Sequence, residues 1–110
     1  MALFITYASY SQAGIQGLLS KPEDRTGAIQ KLLDSVGGKV VAIYNTTGAN
    51  DIVLVSDAPD GSDAVALAMA VSASGAISKA ETVRAWTSDD FESVIKKAAG
   101  LTGAYAPPGS

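Results

Sequence analysis

Two segments of this chain are apolar on both sides. Lys39 to Thr47 reads KVVAIYNTT, and Asp51 to Asp57 reads DIVLVSD. Both are rich in β-formers and flank a Gly48-Ala49-Asn50 turn, which predicts two strands joined as an antiparallel hairpin. Successive side chains of a strand point to opposite faces. By that alternation Val40, Ala42 and Tyr44 share one face of the first strand, and Val41 and Ile43 share the other. In the second, Ile52 and Leu54 oppose Val53 and Val55. A sheet with helices on one side and water on the other alternates apolar with polar. These strands ask for burial on both faces, in a chain of only 110 residues. That length suits a single domain, which buries roughly 65% of the surface its unfolded chain exposes.

The rest of the chain supplies too few elements to cover both faces. Ala2 to Tyr10 predicts a first strand, with Phe4, Ile5, Thr6 and Tyr7 in it. Ser11 to Leu19 is ambiguous, because Gly14 and Gly17 each weaken a helix there by about 1 kcal/mol. Ser20-Lys21-Pro22-Glu23 has the form of a helix start, with Ser20 as cap and Glu23 completing a capping box. Ile29, Leu32, Leu33 and Val36 then form one stripe, ended by Gly37-Gly38. Ser62 or Asp63 opens a second helix that runs to about Ser74 and carries apolar residues on every side. Such a helix wants burial on more than one side. Ile77 to Trp86 predicts the fourth strand, and Thr87 or Ser88 caps a last helix closed by Gly100. Asp89, Asp90 and Glu92 suit the start of that helix, opposite its dipole.

The order is β-α-β-β-α-β plus a C-terminal helix, the ferredoxin-like arrangement of an α+β fold. Residues 1–100 form the expected domain and 101–110 a tail. Two helices cover one face of such a sheet. The other face packs most simply against a second copy of the chain, giving a dimeric α/β-barrel, or else beneath the last helix or the tail.

Composition removes whole classes of chemistry. The sequence has no histidine and no cysteine. That excludes thiol nucleophiles, Ser-His-Asp machinery and thiolate or imidazole metal sites. We expect no metal and no cofactor. The net charge is -3, with no basic cluster, so nucleic acid is not an expected partner. The longest uncharged stretch, Ala64 to Ser78, is too short for a membrane span of about 20 residues. Met1-Ala2-Leu3-Phe4-Ile5 does not read as a secretion signal. The expectation is a cytoplasmic protein with no membrane partner, in which Asn45-Thr46-Thr47 is a chance match to the glycosylation pattern.

The stretches FITYASYSQAGIQGLL, PEDRTGAIQKL, GGKVVAIYNTTGANDIVLV and ETVRAWTSDDF resemble the GYD-domain family, over roughly residues 3–98. The resemblance implies a small bacterial-type protein with the ferredoxin-like fold of the dimeric α/β-barrel superfamily. That superfamily includes cofactor-free oxygenases, small isomerases and ligand-binding domains. The family's naming motif falls on Gly48-Ala49-Asn50-Asp51, where Asn50 replaces the usual tyrosine.

Few groups remain to carry chemistry. Asp51 is the candidate general base, or else a turn-forming hydrogen-bond acceptor. Arg84 and Trp86 share a face of the fourth strand, as a carboxylate clamp and an apolar wall. The competing reading gives Arg84 an ion pair between subunits, with Asp51 or Glu81, beside a core tryptophan. Tyr7, Tyr10 and Tyr44 offer hydroxyls, or aromatic packing. Tyr7, Tyr44, Arg84 and Trp86 are the expected ligand-binding set. Asp57, Asp60 and Asp63 lack the spacing and the distant glutamate of a calcium loop. The expected function is a homo-oligomer, dimeric or higher, that binds a small molecule between helices and sheet or inside the barrel. The alternative is a cofactor-free enzyme acting on a small, partly apolar substrate. A ligand-free scaffold is the weakest of the three.

Overall fold

Four strands form one antiparallel sheet in the order β2-β3-β1-β4, in a computed structural model that describes residues 1–109. β1 spans Ala2–Tyr10, β2 Lys39–Asn45, β3 Ile52–Ala58 and β4 Ile77–Ala85. The helices are α1 (Gln12–Ser20), α2 (Thr26–Asp34), α3 (Gly61–Ala73) and α4 (Ser88–Ala99), followed by a single 3-10 turn at Thr102–Ala104. Ser110, the last residue of the expected tail, lies outside the described residues.

Register assigns the faces. Phe4 lies opposite Ser56 and Arg84, Thr6 opposite Leu54 and Thr82, and Ala8 opposite Ile52 and Ala80. This is the helix face, where α2 lies along β2 and α3 along β4 and β3. Phe4, Ala58 and Ala64 make its tightest cluster. Leu33 of α2 is the most enclosed large side chain, 2% exposed. The Thr6 and Thr82 hydroxyls bond across the strands at 2.9 Å.

The second face carries Leu3, Ile5 and Tyr7 of β1, with Val53 and Val55 of β3. Tyr7 and Tyr44 both lie opposite Val53, from either side. No helix packs broadly on this face, and Tyr44 is 61% exposed.

Two local expectations are corrected and an open one is resolved. Ser20 to Glu23 does not open a helix. Ser20 ends α1, its hydroxyl donating to the Gln16 carbonyl, and α2 begins at Thr26. The Asp24 carboxylate accepts the Thr26 N–H at 2.9 Å and turns the chain into α2, so the true start lies one turn later. The ambiguous stretch after β1 is helical despite its glycines. Gly14 there sits so close to Ala76 that an added Cβ would lie 2.2 Å from the Ala76 carbonyl oxygen. Finally, a bulge at Val41 shifts the register of β2. Val40 pairs with Ser56 on the helix face, while Ala42 and Tyr44 pair with Val55 and Val53 on the open one. Strict alternation had placed all three together.

The last helix is an arm. Trp86 and Phe91 meet edge to face at 5.7 Å where it leaves the sheet. Beyond that root Ile95 is 57% exposed, and among the described residues neither α4 nor the tail covers the open sheet face. The chain measures 60 × 33 × 23 Å, with a radius of gyration of 17.7 Å. A compact chain of this length has a radius of about 13 Å.

Candidate functional site

Between α2, α3 and the sheet the interior is underfilled. The positions that face one another there are small: Ala8 and Ala80 on the strands, Ala64 and Ala68 on α3. They leave a partly open cavity of about 360 Å³. Its floor is Thr6, Ala8 and Leu54, and its walls are Ile29 and Leu32 of α2 with Leu67 and Val71 of α3. The apolar-all-round helix α3 divides into these inner residues and an outer face, where Val65 and Met69 stand exposed.

One end of the cavity is polar. Tyr10 and Arg25 line it there. Both also line a second, polar hollow of about 490 Å³, together with Glu23, Asp24, Thr26 and Asn45. The Arg25 guanidinium bonds Glu23 at 2.6 Å near the surface. Burial pushes the Tyr10 phenol above its usual value; the nearby Arg25 charge opposes that, and Asp51 adds to it. The ring therefore sits at the junction of an apolar chamber and a charged vestibule.

The residues singled out from the sequence fall in three places. Asp51 stands beside the Tyr10 end without lining the cavity: its carboxylate accepts the Tyr10 N–H at 2.9 Å, and its own N–H donates to the Ala8 carbonyl. Arg84 and Trp86 stand at the opposite end of the helix face. The guanidinium lies 4.3 Å from the Trp86 ring centre and 5.8 Å from that of Phe4. It donates to the Leu3 carbonyl at 3.2 Å and to that of Ala85. Phe4, beside Arg84, and Tyr10, beside Asp51, stand six positions apart along β1, or about 20 Å at 3.3 Å per residue. One chain therefore does not bring that base and that clamp together. Tyr7 and Tyr44 share the open sheet face, away from both.

Arg25 belongs to no motif in the sequence, so nothing there singles it out. Reading Asp24 as the residue that turns the chain into α2 brings Arg25 to the mouth of the cleft.

A four-stranded antiparallel sheet in this order, with helices packed on one face, defines a ferredoxin-like α+β protein. Within that class the chain belongs to the GYD domain family, whose model matches residues 4–95. No curated protein and no solved structure matches it. No helix among the described residues is long and apolar enough to cross a membrane.

Proposed function

We propose that this GYD-domain protein is a homo-oligomer that holds a small molecule between its helices and its sheet. The cavity carries the reading. Its volume lies within the range of about 300–1,000 Å³ typical of ligand sites, and its lining is mostly apolar, with Tyr10 and Arg25 at one end. The open sheet face supports the oligomer. Leu3, Ile5, Val53 and Val55 form a continuous apolar surface that, among the described residues, neither α4 nor the tail covers, and surfaces of this kind mark interaction sites. A second copy laid sheet to sheet buries it and places Tyr7 and Tyr44 in the interface. Asp51 then serves to hold the end of β1 that carries Tyr10, and the reading needs no catalytic step.

Two measurements test it. Light scattering should give at least twice the chain's 11.1 kDa, and Val53→Asp should reduce the particle to one chain. A wild-type monomer at micromolar concentration would remove the sheet-to-sheet arrangement. Small aliphatic compounds should perturb the NMR signals of Ala8 and Ala68, and Ala68→Phe should abolish the effect by filling the chamber. Perturbations that persist in Ala68→Phe would place binding elsewhere.

A further inference from the structure

Resting on that reading of the cavity, we propose that its ligand is a small aliphatic carboxylate, with the carboxylate held by Arg25 and Tyr10 and the chain lying over Ala8 and Leu54. The charge distribution picks out this class. Arg25 is the one ionisable residue besides Tyr10 that lines the apolar chamber among the described residues, and no Asp or Glu lines it. A guanidinium has five N–H donors in a fork that matches a carboxylate. Arg25 makes one side-chain hydrogen bond, to Glu23 two residues away. That pair is near the surface, and pairs of this kind contribute little, so a ligand carboxylate can share or replace Glu23 at small cost.

The other polar groups argue against a cationic head. Asp24, the second carboxylate of the vestibule, is engaged by the Thr26 N–H, and Glu23 by Arg25. The Tyr10 phenol remains protonated at neutral pH, since burial raises it, so its hydroxyl can donate to an anion. The chamber walls are aliphatic: Leu32, Leu54, Leu67 and Val71 surround the space, with Tyr10 the single aromatic lining it. A linear or branched alkyl group fits such walls and makes no demand for hydrogen bonds.

Three probes of equal chain length separate the head group from the pocket. Octanoate, octanol and octylamine are titrated by calorimetry into the wild type, Arg25→Gln, Arg25→Lys and Ala68→Phe at neutral pH. The wild type should bind octanoate at least about tenfold more tightly than octanol, as charged hydrogen bonds imply. Arg25→Gln should erase that preference by weakening octanoate far more than octanol, and Arg25→Lys should keep part of it. Equal binding of octanoate and octanol, or a preference for octylamine, overturns the carboxylate assignment. If that happens while Ala68→Phe still blocks octanol, the pocket itself stands. If none of the three binds, the pocket reading falls with the assignment. Thermal melts of the Arg25 variants control for folding.

Discussion

The carboxylate of Asp51 accepts the backbone N–H of Tyr10 at 2.9 Å, and so ties the start of β3 to the end of β1. A few residues away the Thr46 N–H donates to the Asp51 carbonyl at 2.8 Å, and the Thr46 hydroxyl donates to Asn50 at 2.7 Å. Asp51 is therefore the node that joins the β2-β3 turn to the strand carrying the cavity's polar end. A hydrogen bond to a charged group is worth about 1.5–3 kcal/mol. Asp51→Ala should lower unfolding stability by about that amount in urea titrations, and Asp51→Asn, which keeps an acceptor, should lose less. A loss below about 0.5 kcal/mol for the alanine variant, a third of the lower bound, would show that Asp51 does not anchor this corner.

Tyr10 carries its own pH signature. Burial raises its phenol above the reference value of 10.0, against the opposing Arg25 charge and with help from Asp51. A group raised in the folded state holds more protons there than in the unfolded chain. Its contribution is thus fully present below pH 10 and is lost as pH rises through the folded value. The tyrosinate absorbance that disappears in Tyr10→Phe should develop above pH 10, and Tyr10→Phe should show a weaker alkaline loss of stability. In Asp51→Asn the same absorbance should develop at lower pH than in the wild type.

Gln30 supports the irregular edge of the sheet. β2 is an edge strand, and the bulge at Val41 interrupts its ladder. The Gln30 side-chain carbonyl accepts the Val40 N–H at 2.8 Å, while its amide donates to Asp34 at 2.7 Å. Removing a partner from a part-buried backbone N–H costs about 1–3 kcal/mol. Gln30→Leu should cost an amount in that range by chemical denaturation and should speed hydrogen exchange at Val40. Unchanged exchange at Val40 would show that the bulge is held by the ladder alone.

On the acid side, two carboxylates at helix entries set the direction. Hydrogen bonds from the Thr26 side chain and backbone hold Asp24 below 3.8, and those from Ser62, together with the Asp63 N–H, do the same for Asp60. Groups depressed in the folded state stabilise it above the unfolded value, and that stability is lost as pH falls through the folded one. Unfolding stability should therefore drop below about pH 4. The drop should be shallower in Asp24→Asn and Asp60→Asn, as read by urea midpoints across that range. Both residues are fully exposed, so the two effects should be small and additive.

How these features could be read beforehand depended on the range of the forces behind them. The strands followed from local runs of β-formers, and the hairpin from Gly48-Ala49-Asn50; Gly48 adopts a φ of +93° there. The apolar pattern of both strand faces also showed that two helices could not cover the sheet. The face assignment of Val40 failed because a bulge leaves no periodic trace, and the side chain that bonds Val40 there, Gln30, lies ten residues away. The start of α2 was displaced because Ser20 and Glu23 mimic a capping box, whereas Asp24 forms the actual turn. The fold suggested a pocket between helices and sheet, but the residues that line it were not legible. It arises where alanines from three separate elements meet, and no single segment carries that information.

Arg84 tests whether a strand arginine beside a tryptophan is a clamp or a brace. Its guanidinium lies 4.3 Å from the Trp86 ring centre and bonds the backbone at Leu3. Trp86 in turn meets Phe91 at the root of the arm. The group is exposed, and cation–π contacts at exposed sites contribute about 0.5–1 kcal/mol. Trp86 is the chain's one tryptophan, so its fluorescence reports this cluster alone. Arg84→Met should lower stability by about 0.5–1 kcal/mol and shift the Trp86 emission, because the cation leaves the ring. Octanoate should leave that emission unchanged in both proteins, since Arg84 and Trp86 lie outside the cavity lining. Quenching or a shift on adding octanoate, lost in Arg84→Met, would return Arg84 to the role of ligand clamp and move the binding site to the opposite end of the sheet.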